Sequence, residues 1–206
     1  MLTQTSLEVR WFLPVAFPDE VRQWFDCEQP TLTEAEQRED WYLLLADHRD
    51  VGIKLRQGKL EIKHRIGDRG VKKIVKGVKG RIEQWQKWSF SLAAEENALA
   101  HLPAEAGFWL AVQKSRWLKT YQVQQGAIAG VTPEAKPEQG CQIEMAEIVV
   151  QGQVWHSLGF EAFGQANTLE PTLMQGLELV FNEMNGVSLK AKQSLSYPQW
   201  LLRLSR

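Results

Sequence analysis

The chain has 206 residues, 24 basic and 25 acidic side chains, a formal net charge of −1 and a pI near 6.4. That balance argues against a general nucleic-acid binder, whose affinity rests on a positive excess, and neither an apolar leader region nor a run of about 18 apolar residues marks a membrane-targeted chain. The length suits one all-β barrel domain, expected to span residues 1–206.

Leu7 to Leu13 reads as a first strand, broken by Pro14 and Pro18 before a short helix with Asp19 near its start and Val21, Trp24 and Phe25 on its apolar side. Gln29 to Asp40 reads as a polar connection. Strands are expected at Trp41 to Ala46, Val51 to Arg56 and Lys59 to Arg65, the last two joined by a tight Gln57-Gly58 turn. The lysine- and glycine-rich stretch from Gly67 to Gly80 reads as a mobile loop at one rim, leading into a strand from Arg81 to Phe90. Ala93 to Leu102 has a helical pattern ended by Pro103, and Phe108 to Lys114 and Arg116 to Val123 read as two strands or one long bent one. Ala127 to Gly140, with Pro133 and Pro137, reads as a loop. Cys141 to Val150 and Gln153 to Phe163 pair through Gln151-Gly152. A helix over 168–185 follows, capped by Asn167 or Thr168, with Pro171 in its first turn and Leu173, Leu177, Val180, Phe181 and Met184 at helical spacing until Asn185-Gly186 stops it. A last helix over 198–204, preceded by Ser196, is expected to cover one end of the barrel.

Within these strands charge recurs at period two: Lys54 with Arg56, Lys63 with Arg65, Lys114 with Arg116. Residues two apart on a strand share a face, so cations take one side while Ile53, Leu55, Leu60, Ile62 and Val112 are assigned to the other. Eight or nine short-turned strands imply an α+β, mainly β, fold: a closed antiparallel barrel of about eight strands, lined by cations and covered by helices. An open sheet with its charges in water is the competing arrangement. Unpaired buried cations cost several kcal/mol each, so a charged interior calls for compensating carboxylates, water and an anionic ligand.

Nine tryptophans are present; Trp11, Trp41, Trp85, Trp88, Trp109, Trp117 and Trp155 fall in or beside strands and are read as packing between barrel wall and helices. The same aromatics support a second class of function, a non-catalytic barrel that binds a hydrophobic ligand or a protein partner, and they leave a homodimer open. Cys27 and Cys141 show no metal-ligand spacing and are expected to be reduced thiols of a cytoplasmic protein. His48, His64, His101 and His156 show none either. The glycines at 67, 70, 77 and 80 do not link a strand to a helix as a phosphate loop does. Lys72, Lys73, Lys76 and Lys79 read as a solvated loop, or alternatively as a rim that attracts polyanions.

A run of short motifs orders these charges along the chain. Glu8-Val9-Arg10-Trp11-Phe12 comes first, then Ile53-Lys54-Leu55-Arg56 with Leu60-Glu61-Ile62-Lys63, then Arg81-Ile82-Glu83-Gln84-Trp85 and Lys114-Ser115-Arg116. Glu144 or Glu147, the Gln151-Gly152 turn, Glu161-Ala162-Phe163 and finally Ser196-Tyr197-Pro198-Gln199-Trp200 complete it. This order resembles the CYTH superfamily, the triphosphate tunnel metalloenzymes. The resemblance implies an eight-stranded antiparallel tunnel that takes a triphosphate-containing compound, such as tripolyphosphate, a nucleoside triphosphate or thiamine triphosphate, with carboxylates holding Mg or Mn.

Carried over position by position, the resemblance assigns phosphate contacts to Lys54, Arg56, Lys63, Arg81, Lys114 and Arg116, with Arg65 on the face of Lys63. It assigns metal contacts to Glu8, Glu83, Glu144 or Glu147, and Glu161. Positions 10, 85 and 163, acidic in the family pattern, hold Arg, Trp and Phe here, and Phe12 stands for a lysine. Arg10 sets a cation beside Glu8, which lowers metal affinity; its planar fork could instead replace the metal and hold phosphate directly. The expected function is binding, with or without hydrolysis, of a small polyphosphate or triphosphate-containing anion. If the chain is an enzyme, the expectation is a metal-dependent phosphohydrolase of the triphosphatase type.

Overall fold

In the computed structural model, residues 2–27, 35–92, 108–132, 135–184 and 186–205 are described. The chain forms β1 (Leu2–Leu13), α1 (Asp19–Cys27), β2 (Glu36–Leu43), β3 (Val51–Arg56), β4 (Lys59–Val75) and β5 (Val78–Ser91). It continues with β6 (Trp109–Gln124), β7 (Ala127–Val131), β8 (Gly140–Val150), β9 (Gln153–Phe163), α2 (Leu169–Glu183) and α3 (Tyr197–Leu204). The helix expected over 93–102 lies outside the described residues.

The strands follow the order β2-β3-β4-β5-β1-β9-β8-β6, and pairing of β2 with β6 closes the ring. Every pairing is antiparallel, so this is a closed eight-stranded barrel, with β7 added to the far part of β6. Tight turns set much of the register. Gln57-Gly58, Gln125-Gly126 and Gln151-Gly152 each place two successive residues at positive φ, between 46° and 82°, the geometry of a two-residue hairpin turn whose twist matches its strands.

Alternation on β1 builds the two surfaces of the wall. Leu7, Val9, Trp11 and Leu13 face outward and are buried under α1 and α2, with Phe160, Leu173, Leu177, Val180 and Phe181 in one apolar cluster. Trp24 of α1 donates to Glu183 of α2 at 2.7 Å, joining the two helices. The inward residues Ser6, Glu8, Arg10 and Phe12 pass from polar to apolar. Phe12 belongs to a second cluster with Tyr42, Val112, Ile148, Trp200 and Leu201, which fills one end of the barrel beneath α3. The expected covering helix is thus present, and its Pro198 sits 3.2 Å from where Gly52 would carry a Cβ.

Three expectations are corrected. Gly67 to Gly80 is a hairpin, with β4 running to Val75 and β5 starting at Val78. Its glycines and charges hide a strand because register shifts at Arg65/Gly67, Asp68/Gly70 and Lys73/Val75 change which residues share a face. Val78, Ile82, Ile74 and Val75 pack into the outer cluster, and Gly80 lies flush on Trp11, where a Cβ would come within 2.5 Å of the ring. Lys72, Lys73, Lys76 and Lys79 are exposed on this hairpin. Next, Ala127 to Gly140 is not loop throughout, since β7 occupies its first five residues. Finally, Val112 shares the face of Lys114 and points inward, in the apolar layer where β6 crosses the closed end. Among the described residues no helix is long and apolar enough to cross a membrane.

Candidate functional site

The barrel interior above the aromatic end is a network of ion pairs built by period-two alternation on every wall strand. Asp40 of β2 is its most enclosed member, fully buried, with Lys114 Nζ at 2.7 Å, Arg38 at 3.6 Å and Lys54 at 3.8 Å. Glu144 of β8 faces Arg10 at 2.6 Å, Arg116 at 3.4 Å and Arg38 at 4.0 Å. Glu61 of β4 pairs with Lys54 at 2.9 Å and Arg56 at 3.1 Å, and Glu83 of β5 accepts from Arg65 at 2.6 Å. Lys63 contacts Glu8 and lies 3.5 Å from Glu161.

The electrostatics follow from burial opposed by charge. Burial raises the Asp40 and Glu144 carboxyls, but the cations around them outweigh it and hold both well below the carboxylate range. Burial likewise opposes ionisation of Glu61, yet Lys54 and Arg56 bring it down to about 2. Glu8 is raised by burial and by the facing Glu161 despite Lys63, whereas Glu161 is held low against burial by Lys63, Lys87 and Arg10. Lys54 and Lys114 are each brought down to about 8, burial outweighing the pull of Asp40. Two aromatic rings support this cluster: Tyr197 stacks on Tyr42 at 7° between planes, and Lys114 Nζ sits 4.2 Å from the Tyr197 centroid.

Arg10 has a place made for it. Its partner across β1 and β9 is Gly159, and a Cβ there would stand 2.5 Å from the guanidinium. The missing side chain lets Arg10 lie over β9 and donate to Glu144 and to Ser157 at 3.1 Å. Gly159→Ala is therefore expected to displace Arg10 and cost about 1–3 kcal/mol. Denaturant unfolding of the single and double variants checks it. With Arg10→Ala the two losses should add to less than their sum, because the clash has gone.

Of the residues assigned from sequence, Arg10, Lys54, Arg56, Lys63, Arg65, Lys114 and Arg116 meet in the interior with Glu8, Glu83, Glu144 and Glu161. Arg81 stands at their rim, sharing Asp68 with Arg65, which lies 3.9 Å from that carboxylate. Its half-exposed side chain pairs with Asp68 at 2.5 Å on the β4–β5 hairpin. Glu147 is corrected too: being an odd number of residues from Glu144 it points outward, toward His156 at 3.6 Å, so Glu144 is the interior carboxylate. Arg38, Asp40 and Tyr42 join the interior without any sequence assignment, and Glu61 and Tyr197, which lie in the motifs, carry no assigned role there. The alternation Arg38-x-Asp40-x-Tyr42 could have revealed the first two, had β2 been started at Glu36.

A divalent ion of the Mg or Mn type needs several oxygen donors at one point. Among the described residues no group of three or more His, Cys, Asp or Glu side chains is placed to hold one. Glu8 and Glu161 are cross-strand neighbours and would be the natural pair, but the Lys63 ammonium already serves both. The donors present suit a fixed cation better than a metal.

No family model and no curated protein matches the chain. Among solved structures the chain is similar to the PH1819 protein from Pyrococcus horikoshii OT3, at 13% identity and a TM-score of 0.47 over 97% of this chain and 99% of that one. It is similar to a candidate adenylate cyclase from Bacillus halodurans, at 11% identity and a TM-score of 0.43 over 92% and 96% of the two chains. It is also similar to an RNA triphosphatase of S. pombe solved in complex with the Spt5 CTD, at 12% identity and a TM-score of 0.40 over 87% and 83%.

Proposed function

We propose that the barrel interior binds a small, multiply charged anion of the polyphosphate or triphosphate class directly on its cations, without requiring a metal. The observation that carries this reading is the make-up of the interior. Arg10, Arg38, Lys54, Arg56, Lys63, Arg65, Lys114 and Arg116 converge there from β1, β2, β3, β4 and β6, on the carboxylates Glu8, Asp40, Glu61, Glu83, Glu144 and Glu161 and the more exposed Glu36 and Asp68. Enclosed cations are stable only when paired, and a linear polyphosphate offers acceptors to cations arriving from several walls at once. Without ligand the carboxylates occupy these cations; the anion enters by exchange. The aromatic residues at the closed end, by contrast, stack on one another, as Phe12 does on Trp200 at 4.3 Å, which gives no support to an aromatic-lined ligand pocket.

Thermal unfolding with tripolyphosphate and ATP, each in EDTA, Mg or Mn, tests the reading. A ligand at about 100 times its dissociation constant stabilises by roughly 2.7 kcal/mol, and the expected result is a rise in EDTA no smaller than that with metal. A rise only with metal would assign the site to metal-bound phosphate instead, and no rise with either anion would sink the proposal.

The pH dependence carries a sign of its own. Lys54 and Lys114 titrate near 8 in the folded protein, against an ordinary 10.5. Raising the pH from 7 to 9 therefore removes interior cations, and the affinity for tripolyphosphate is expected to fall across that range in calorimetric titration. The ligand-free protein should respond in the opposite sense. Between about 8 and 10.5 the unfolded chain binds more protons than the folded one, so these two groups make stability rise with pH there. Unchanged affinity from pH 7 to 9 would remove both lysines from the binding set.

A further inference from the structure

Resting on the reading of the interior as a polyphosphate site, we infer that its closed end is a subsite for a free terminal phosphoryl group, with Arg38 and the Tyr197 hydroxyl as its unspent donors, so that the ligand must be a linear anion with at least one uncapped phosphate end.

The inference starts from polar atoms that have nothing to bond. The Arg38 side chain is only 4% exposed, yet its Nε and Nη1 make no hydrogen bond. Its nearest carboxylate oxygens, on Asp40, Glu144 and Glu36, lie at 3.6 to 4.0 Å, beyond hydrogen-bond reach. The Tyr197 hydroxyl is buried and unbonded as well. Buried donors are ordinarily paired, and guanidinium N–H groups left without an acceptor are among the costlier exceptions. Arg38 lies directly opposite Lys114 in the β2–β6 register, and Lys114 and Arg10 both sit over the Tyr197 ring, at 4.2 and 5.1 Å. The unspent donors and two further cations therefore surround one place. Asp40 Oδ1, also unbonded, is an acceptor at the edge of the same group.

The chemistry of that place selects an end over a middle. A terminal phosphoryl carries three non-bridging oxygens and up to two charges, whereas an internal phosphate of a linear chain carries two oxygens and one charge. The former, with its additional oxygen and charge, suits these donors and the cations beside them better. The apolar layer of Phe12, Tyr42, Val112, Ile148, Trp200 and Leu201 under α3 closes the barrel just beyond, so a chain that reaches these donors must arrive end first. A nucleoside at both ends would hold the phosphates away from them.

Calorimetric titration in EDTA of the wild type, Tyr197→Phe and Arg38→Gln with tripolyphosphate, ATP and a dinucleoside pentaphosphate tests this. The wild type should bind tripolyphosphate and ATP about tenfold or more tighter than the doubly capped compound, the scale of a hydrogen bond to a charged group. Each variant should lose most of that preference by weakening the uncapped ligands far more than the capped one. Tyr197→Phe removes a hydroxyl that bonds nothing, so it decides the matter even if Arg38→Gln fails to fold. Equal wild-type affinity for capped and uncapped ligands, or a preference that survives in Tyr197→Phe, overturns the subsite and leaves the polyphosphate reading standing. Failure of the wild type to bind any of the three overturns both.

Discussion

Replacing Trp11 with alanine is expected to lower the unfolding free energy by about 3–5 kcal/mol, among the largest losses available to a single truncation in this protein. Trp11 is fully buried at the junction of three elements. Its ring meets Phe160 of β9 edge-on at 6.3 Å and Phe181 of α2 edge-on at 6.1 Å. Its Nε1 donates to the Lys79 carbonyl at 2.8 Å, which ties the β4–β5 hairpin to the barrel wall, and Gly80 leaves the room that this approach needs. Alanine would open a cavity under the hairpin and strand a carbonyl, and neither a neighbouring ring nor a β-strand backbone can collapse far into the space. Urea unfolding measures the loss. A change below about 1 kcal/mol would mean that the hairpin repacks without its anchor, and would remove Trp11 from the role given to it.

The parts of the barrel that could be read from sequence are those where one face is apolar and the other charged. Lys54 and Arg56 alternate with Ile53 and Leu55, and Glu61 and Lys63 with Leu60 and Ile62, so strand identity and inward face follow together. The same logic fails on β2. From Glu36 to Asp40 every residue is polar, because Gln37 and Glu39 face water while Arg38 and Asp40 face a polar interior, and no hydrophobic period survives to mark the strand. The residues that matter most to the site were hidden by the property that makes it a site. Glu144 and Glu147 differ by an odd number of positions, so alternation separates them as soon as register is known, and composition alone cannot supply register. In the β4–β5 hairpin each bulge shifts the parity of Val71, Ile74 and Val75 relative to the strand before it, and lysines on the exposed side complete the disguise.

Asp40→Ala should separate the cost of the interior charge from its use. Asp40 is the shared counter-ion of Lys114, Arg38 and Lys54, and Lys114 would be left with the Tyr42 hydroxyl at 2.9 Å as its remaining hydrogen-bond partner. Removing one partner of a buried ion pair typically costs about 3–5 kcal/mol, since the other charge stays desolvated and unpaired. The sign of the ligand effect then reverses the usual expectation for a damaged site. With its internal competitor gone, tripolyphosphate can take the place of Asp40 beside Lys114, which keeps no carboxylate within 4 Å among the described residues, and beside Lys54 and Arg38, which keep Glu61 and Glu144. The ligand-induced rise in stability should therefore be larger in Asp40→Ala than in the wild type and should recover much of the loss. Paired unfolding curves at pH 7 in EDTA, with and without tripolyphosphate, read both quantities from one variant. Asp40→Asn, which keeps shape while removing charge, should follow the same pattern. If the variants lose stability and tripolyphosphate returns no more than it gives the wild type, these cations serve the fold through their pairs and take no part in holding an anion.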